Sequence, residues 1–199
     1  MSSMAFSAKP TVLRCGRCGR FVDWAEARLQ VVCGCRVRVD LPPVMTREAS
    51  DAERPDVLAL FQQDFGRTQV ATLGDVVNLA DTDTLVAEME GGVAGALAWR
   101  RCGDALHVVA LATDPMWQRS GVGGHLLAEA EALARRLGLA RLVVSTSNDN
   151  LPGLYFYQRH GYRIVEIVRD AVAAHPELRP VPGFADIPPV DELRLEKAI

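Results

Sequence analysis

One stretch, Leu106 to Leu137, constrains the rest of this chain more than any other. It begins as an apolar run, His107 to Ala112, breaks at Asp114-Pro115, passes through Gln118-Arg119-Ser120-Gly121-Val122-Gly123-Gly124, and continues as an amphipathic pattern from Val122 to Leu137. A strand, a glycine-rich turn and a helix in that order make an anion cradle. The glycines allow backbone N–H groups to approach a phosphate, and the helix N-terminus adds its partial positive charge.

The remaining patterns predict a mixed sheet flanked by helices. Ser50 and Glu53 make a possible capping box ahead of a stripe of Val57, Leu58, Phe61 and Phe65, so a first helix is expected over 51–65, ending at Gly66. Residues 69–82 are ambiguous, with a short second helix expected there. Thr84–Glu90 and Val93–Arg101 flank Gly91-Gly92, the pattern of a tight hairpin. After the central helix, Ala140–Ser147 reads as a strand and Leu151–His160 as a helix stopped by Gly161. Tyr162–Arg169 and 190–198 read as two more strands. Residues 175–189 are too proline-rich for regular structure. The predicted order α, α, β, β, β, α, β, α, β, β gives an α/β class with a mixed sheet and helices on both faces.

The front of the chain differs in charge and in cysteine. Residues 1–45 hold seven basic and three acidic side chains, leaving +4 there and −7 over the rest. Four of the five cysteines, Cys15, Cys18, Cys33 and Cys35, fall in this part. Clustering of this kind argues for metal ligation over a disulfide framework. Four thiolates suit a tetrahedral structural zinc site, and the β-prone flanks resemble a zinc ribbon. The second knuckle is C-x-C, one residue tighter than is usual, so a redox pair or disulfide stays open as the rival reading. The domains expected are a disordered lead at 1–10, a ribbon-like module at 11–41, and a main domain at 42–199, with Asp40–Val44 as the linker at their junction. A solvated arginine-rich surface is favoured over nucleic-acid binding as the reading of the basic front. With apolar residues at 49%, no apolar run long enough to span a membrane and no signal-peptide core, the expectation is a cytoplasmic protein.

The Gln118-to-Gly123 segment fits the pattern Q/R-x-x-G-x-G/A. Downstream, Asn150, Tyr157, Gly161 and Tyr162 fit a second spacing: Asn, then seven residues to Tyr, then four to Gly with an aromatic after it. On these two linked patterns residues 45–199 resemble the Gcn5-related N-acetyltransferase (GNAT) superfamily. The resemblance implies an acetyl-CoA-dependent N-acetyltransferase acting directly on an amine of a small molecule or protein. The alternative is a non-catalytic acyl-CoA sensor whose ribbon docks on nucleic acid or a protein.

The resemblance also implies roles. The backbone of Gln118, Arg119, Ser120, Gly121, Val122, Gly123 and Gly124 would hold the pyrophosphate. The edge at Leu111, Ala112 and Thr113 would pair with the pantetheine arm, and an N–H there would polarise the thioester carbonyl. Asn150 would cap its helix and hold the cofactor arm. Tyr157 looks like the general acid for the departing thiolate, with a buried packing residue as the plainer reading. His107 is the expected base, with Glu88 and Asp114 behind it and a structural histidine as the other reading. A homodimer is possible.

Overall fold

The computed structural model describes residues 44–178 and 184–199, together with the backbone of two short strands, β1 (Val12–Arg14) and β2 (Phe21–Asp23). β1 and β2 pair antiparallel, with Leu13 opposite Val22, on either side of the Cys15–Cys18 segment. Cys15, Cys18, Cys33 and Cys35 themselves lie outside the described residues.

The main domain is built on a seven-stranded sheet in the order β10-β11-β9-β8-β7-β6-β3. Its strands are β3 (Met45–Glu48), β6 (Asp83–Met89), β7 (Gly92–Cys102), β8 (Ala105–Thr113), β9 (Arg141–Ser147), β10 (Arg163–Val168) and β11 (Glu192–Ala198). The β6–β7 hairpin forms as predicted but turns one residue earlier than Gly91-Gly92, at Glu90-Gly91, with Gly92 already in β7. Glu90 and Gly91 both take positive φ, 51° and 77°, as a turn matched to strand twist requires.

Helix α1 (Arg54–Phe65) starts behind a 3-10 turn at Asp51–Glu53, with the Ser50–Glu53 capping box formed and Pro55 in the first turn. It ends at Gly66, whose φ of 72° lets its N–H close on Gln62 O. Helices α2 (Val122–Arg136) and α3 (Leu151–Arg159) also fall where the sequence predicts them.

The expected second helix over 69–82 is corrected. The segment is a hairpin, β4 (Gln69–Thr72) and β5 (Asp75–Asn78), followed only by a 3-10 turn at Leu79–Asp81. Leu73 and Gly74 take φ of 52° and 80°. That turn, with β-branched Val70, Val76 and Val77 beside it, outweighs any helical periodicity.

The sheet separates two apolar layers. On one face α1 and the β4–β5 hairpin enclose Val57, Phe61, Leu79, Val86, Ala98 and Ala110. On the other, α2 and α3 cover Leu97, Leu106, Val108, Leu126, Leu142 and Tyr157. Gly95 of β7 sits where α2 comes closest. A Cβ there would lie 2.7 Å from Val122 Cγ1 and 3.1 Å from Ala112 O. Gly95→Ala should therefore destabilise the fold by about 1–3 kcal/mol, read as a lower denaturant midpoint, because it overpacks the seam holding the start of α2.

Candidate active site

The site begins with a fault in the sheet. β7 and β8 pair continuously except for one extra residue. Ala98 faces Ala110 and Trp99 faces Val108, which leaves Val109 as a bulge. A bulge bends and twists its strand. β8 and β9, the one parallel pair among the described residues, run together from Ala105↔Arg141 to Val108↔Val144 and then stop. Beyond that point β8 stays on β7 and β9 stays on β11. The two strands diverge, and the edge of Leu111, Ala112 and Thr113 that faces β9 has no strand partner among the described residues.

At the end of that open edge the chain turns into the glycine loop. Asp114 N–H bonds Ala94 O at 3.0 Å, and the Asp114 side chain accepts the Met116 N–H at 2.7 Å. Trp117, 7% exposed, anchors the loop in the core, and its carbonyl accepts the Ser120 N–H and hydroxyl. Arg119 and Gly121 take positive φ, 63° and 97°. The first helical bond of α2 runs from His125 N–H to Gly121 O. Ahead of it the Val122, Gly123 and Gly124 N–H groups close no helical bond. No side chain caps this end and no acidic residue lies in its first turn. A bare, uncompensated helix N-terminus favours an anion.

α3 closes the other side. Asn150 is its N-cap: Oδ1 accepts the Gly153 N–H at 3.0 Å while Nδ2 donates to Thr146 Oγ1 at 2.9 Å. Phe156 packs against α2, where a Cβ on Gly123 would meet its ring at 3.2 Å. Tyr157 is 8% exposed, edge-on to Phe156 and Tyr162 at ring distances of 5.3 and 5.7 Å. Its hydroxyl has no hydrogen-bond partner among the described residues. Burial pushes its pKa well above the ordinary phenol value, with the Asp64 carboxylate of α1 adding to the rise. Tyr155, two residues away, is exposed on another side, as its spacing implies.

His107 lies inside the sheet with no exposed surface. Arg100 Nε donates to its Nδ1 at 3.2 Å, and its Nε2 is 3.0 Å from Thr72 Oγ1. Thr72 in turn lies 2.6 Å from Ser145 Oγ. Both ring nitrogens are thus engaged. Burial, then the nearby Arg100 and Arg194 charges, push the imidazole pKa down to about 4. Of the other base candidates, Glu88 is held by Arg47 at 3.0 Å near the far edge of the sheet, and Asp114 is spent on its loop turn.

The depressed histidine has a consequence for stability. Unfolded, the ring takes a proton near its ordinary value; folded, it resists until about pH 4. Between those values the unfolded state binds more protons, so stability rises with pH and is lost as pH falls through that window. The wild type should therefore lose stability more steeply between pH 6.5 and 4 than His107→Gln, by an amount on the order of 3 kcal/mol, measured by denaturant titration. Equal slopes would show that the ring is not held neutral.

Thr72, Ser145 and Arg100, which complete the polar interior beneath the divergence, are not evident from sequence. They come from three separated segments, one of them the hairpin read as partly helical. Among the described residues no group of three or more His, Cys, Asp or Glu side chains is placed to hold a metal ion, and no helix is long and apolar enough to cross a membrane.

Comparison with known proteins agrees with this geometry. Residues 80–164 match the model of the acetyltransferase (GNAT) domain. The uncharacterised protein YxbD of Bacillus subtilis is 30% identical over 147 residues, covering 72% of this chain and 91% of that protein. Blasticidin-S acetyltransferase of Streptomyces morookaense is 38% identical over 84 residues, 42% of this chain and 57% of that one. A GNAT acetyltransferase from Elizabethkingia anophelis, solved with acetyl-CoA bound, superposes with a TM-score of 0.60 at 18% identity, covering 78% of this chain and 98% of that one. With residues 80–164 matching the GNAT domain and YxbD matched over 91% of its length, the chain belongs to the GNAT family of acetyltransferases.

Proposed function

We propose that this protein transfers an acetyl group from acetyl-CoA directly to the amine of a small molecule or a protein, with Tyr157 as general acid. The observation that carries the reading is the convergence of three parts: the unpaired β8 edge, the uncapped N-terminus of α2, and a buried phenol with an unbonded hydroxyl. The N–H groups of Val122, Gly123 and Gly124, presented by the turn of the Gln118–Gly121 loop, supply donors for the pyrophosphate. The open edge at Leu111–Thr113 supplies backbone partners for the amide-rich pantetheine arm. A backbone N–H from the same edge polarises the thioester carbonyl. Asn150, already occupied in capping α3, fixes the orientation of the helix that carries Tyr157.

The amine nitrogen attacks the carbonyl carbon, the C–S bond breaks, and the departing thiolate takes the proton of Tyr157. The proton lost by the nitrogen leaves to water, and Tyr157 regains a proton from water once the thiol has gone. No covalent enzyme intermediate is required.

Thiol release from acetyl-CoA across a panel of amines tests the reading. Release that depends on an amine supports it. Tight CoA binding without release from any amine would mark an acyl-CoA sensor instead. For the front of the chain we propose that Cys15, Cys18, Cys33 and Cys35 hold one structural zinc ion, on the strength of the four-thiolate set and its spacing. Elemental analysis should return one zinc per chain, and a folded, metal-free protein would overturn that assignment.

A further inference from the structure

His107 is the interior end of a hydrogen-bonded chain whose direction is fixed. An arginine side chain can only donate, so Arg100 Nε–H makes His107 Nδ1 the acceptor. A neutral imidazole then carries its proton on Nε2 and gives it to Thr72 Oγ1. Thr72 is 4% exposed, and among the described residues the one acceptor within reach of its hydroxyl is Ser145 Oγ, at 2.6 Å. Its proton therefore goes to Ser145, which keeps a lone pair and its own O–H free. Ser145 is half-buried on β9, one residue beyond Val144, where pairing with β8 ends. It stands at the apex of the divergence, beside the Val109 bulge.

A second set of bonds fixes the hairpin that delivers Thr72. Leu73 N–H donates to Glu192 of β11 at 2.6 Å, and Arg100 Nη2 reaches Asp75 at 3.1 Å. The tip of β4–β5 is tied to β7, β8, β9 and β11 at once. A buried polar chain specifies one geometry, and this one fixes the oxygen of a half-buried serine on the first residue of β9 past its last pair with β8.

We propose that Ser145 is the residue that holds the acceptor amine, accepting one of its N–H bonds, and that Thr72, His107 and Arg100 are positioning residues that fix Ser145. This rests on the acetyltransferase reading above and assigns His107 a role other than the base. A neutral amine has N–H groups to spare, so one bond to Ser145 Oγ directs its lone pair at the thioester. Proton transfer into His107 is blocked, because a proton on Nδ1 would face the Arg100 N–H.

The test is steady-state kinetics of the full-length protein with acetyl-CoA and an amine found active in the panel. Ser145→Ala should lower kcat/KM for the amine by about three- to tenfold, the value of one hydrogen bond, with KM for acetyl-CoA unchanged. Thr72→Val and His107→Leu should reproduce that loss. His107→Gln, whose amide N–H still reaches Thr72, should restore most of it. The double variant Thr72→Val/Ser145→Ala should be no worse than Ser145→Ala alone, a non-additivity that general loosening would not give. The acidic limb of the pH–rate profile should be the same in the wild type and His107→Gln.

Unchanged amine kinetics in Ser145→Ala overturns the assignment and leaves the acetyltransferase reading intact. An acidic limb that vanishes in His107→Gln overturns it in favour of His107 as base. A wild type that releases no thiol with any amine overturns both.

Discussion

Tyr157→Phe should lower kcat by roughly 10²- to 10³-fold, within the range of a positioned general acid, and leave KM for acetyl-CoA within about threefold. The substitution removes one oxygen and keeps the ring. Tyr157 packs edge-on to Phe156 and Tyr162 and belongs to the α2-side core, so phenylalanine holds the same place and the helix stays where it is. What disappears is the proposed proton donor. The hydroxyl has no hydrogen-bond partner among the described residues, and burial raises its pKa above the ordinary phenol value, so it remains protonated throughout the neutral range. A thiolate leaving without it must be expelled as an anion into a buried site, at a cost that appears in kcat. No alkaline limb from this group is expected below about pH 10, because its proton is held more tightly than a free phenol's. A Tyr157→Phe enzyme with wild-type kcat would remove the residue from the chemistry and reduce it to packing.

Gly123→Asp should raise KM for acetyl-CoA by about 100-fold or more, with a smaller change in kcat at saturation. Gly123 is in the first turn of α2, whose N–H groups close no helical bond and whose positive end carries no acidic side chain. A carboxylate there satisfies the same donors and neutralises the same dipole that would attract pyrophosphate, and it repels the ligand's own charge. Crowding alone has a smaller effect. A Cβ at this position meets the Phe156 ring at 3.2 Å, tight enough that the ring must shift slightly. Gly123→Ala has the crowding without the charge and separates the two, with an expected rise in KM of a few-fold. If the alanine variant is as impaired as the aspartate variant, shape and not charge governs this end of the site.

The two predictions draw on different kinds of legibility. The α2 end is legible in the sequence because its shape depends on local backbone: a glycine run after an apolar strand and before an amphipathic helix sets a turn and a helix start. The Asn150–Tyr157 spacing was readable for the same reason, since a cap and a residue seven positions on share one short helix. The His107 environment was not readable. A histidine in an apolar strand has one appearance whether it faces a substrate or an interior hydrogen bond. Its partners come from residues 72, 100 and 145, and nothing local announces them. The β4–β5 hairpin is hidden in the sequence because its turn, Leu73-Gly74, lacks the Asn-Gly or Asp-Gly that signals such a turn most strongly. Without the hairpin there is no Thr72 to connect His107 to Ser145.

The sequence by itself determined the glycine loop ahead of α2, the order of the central elements, the short helix that carries Asn150 and Tyr157, and the family. Each depends on residues within a turn or two of one another, where backbone geometry and spacing are enough. Only the tertiary structure decided that β8 bulges at Val109, that β8 and β9 part after Val108 and Val144, and that Arg100, His107, Thr72 and Ser145 join beneath the opening. These are matters of pairing register and of which buried donors find which acceptors. They are settled when segments far apart in the chain are pressed together and every buried polar group must find a partner.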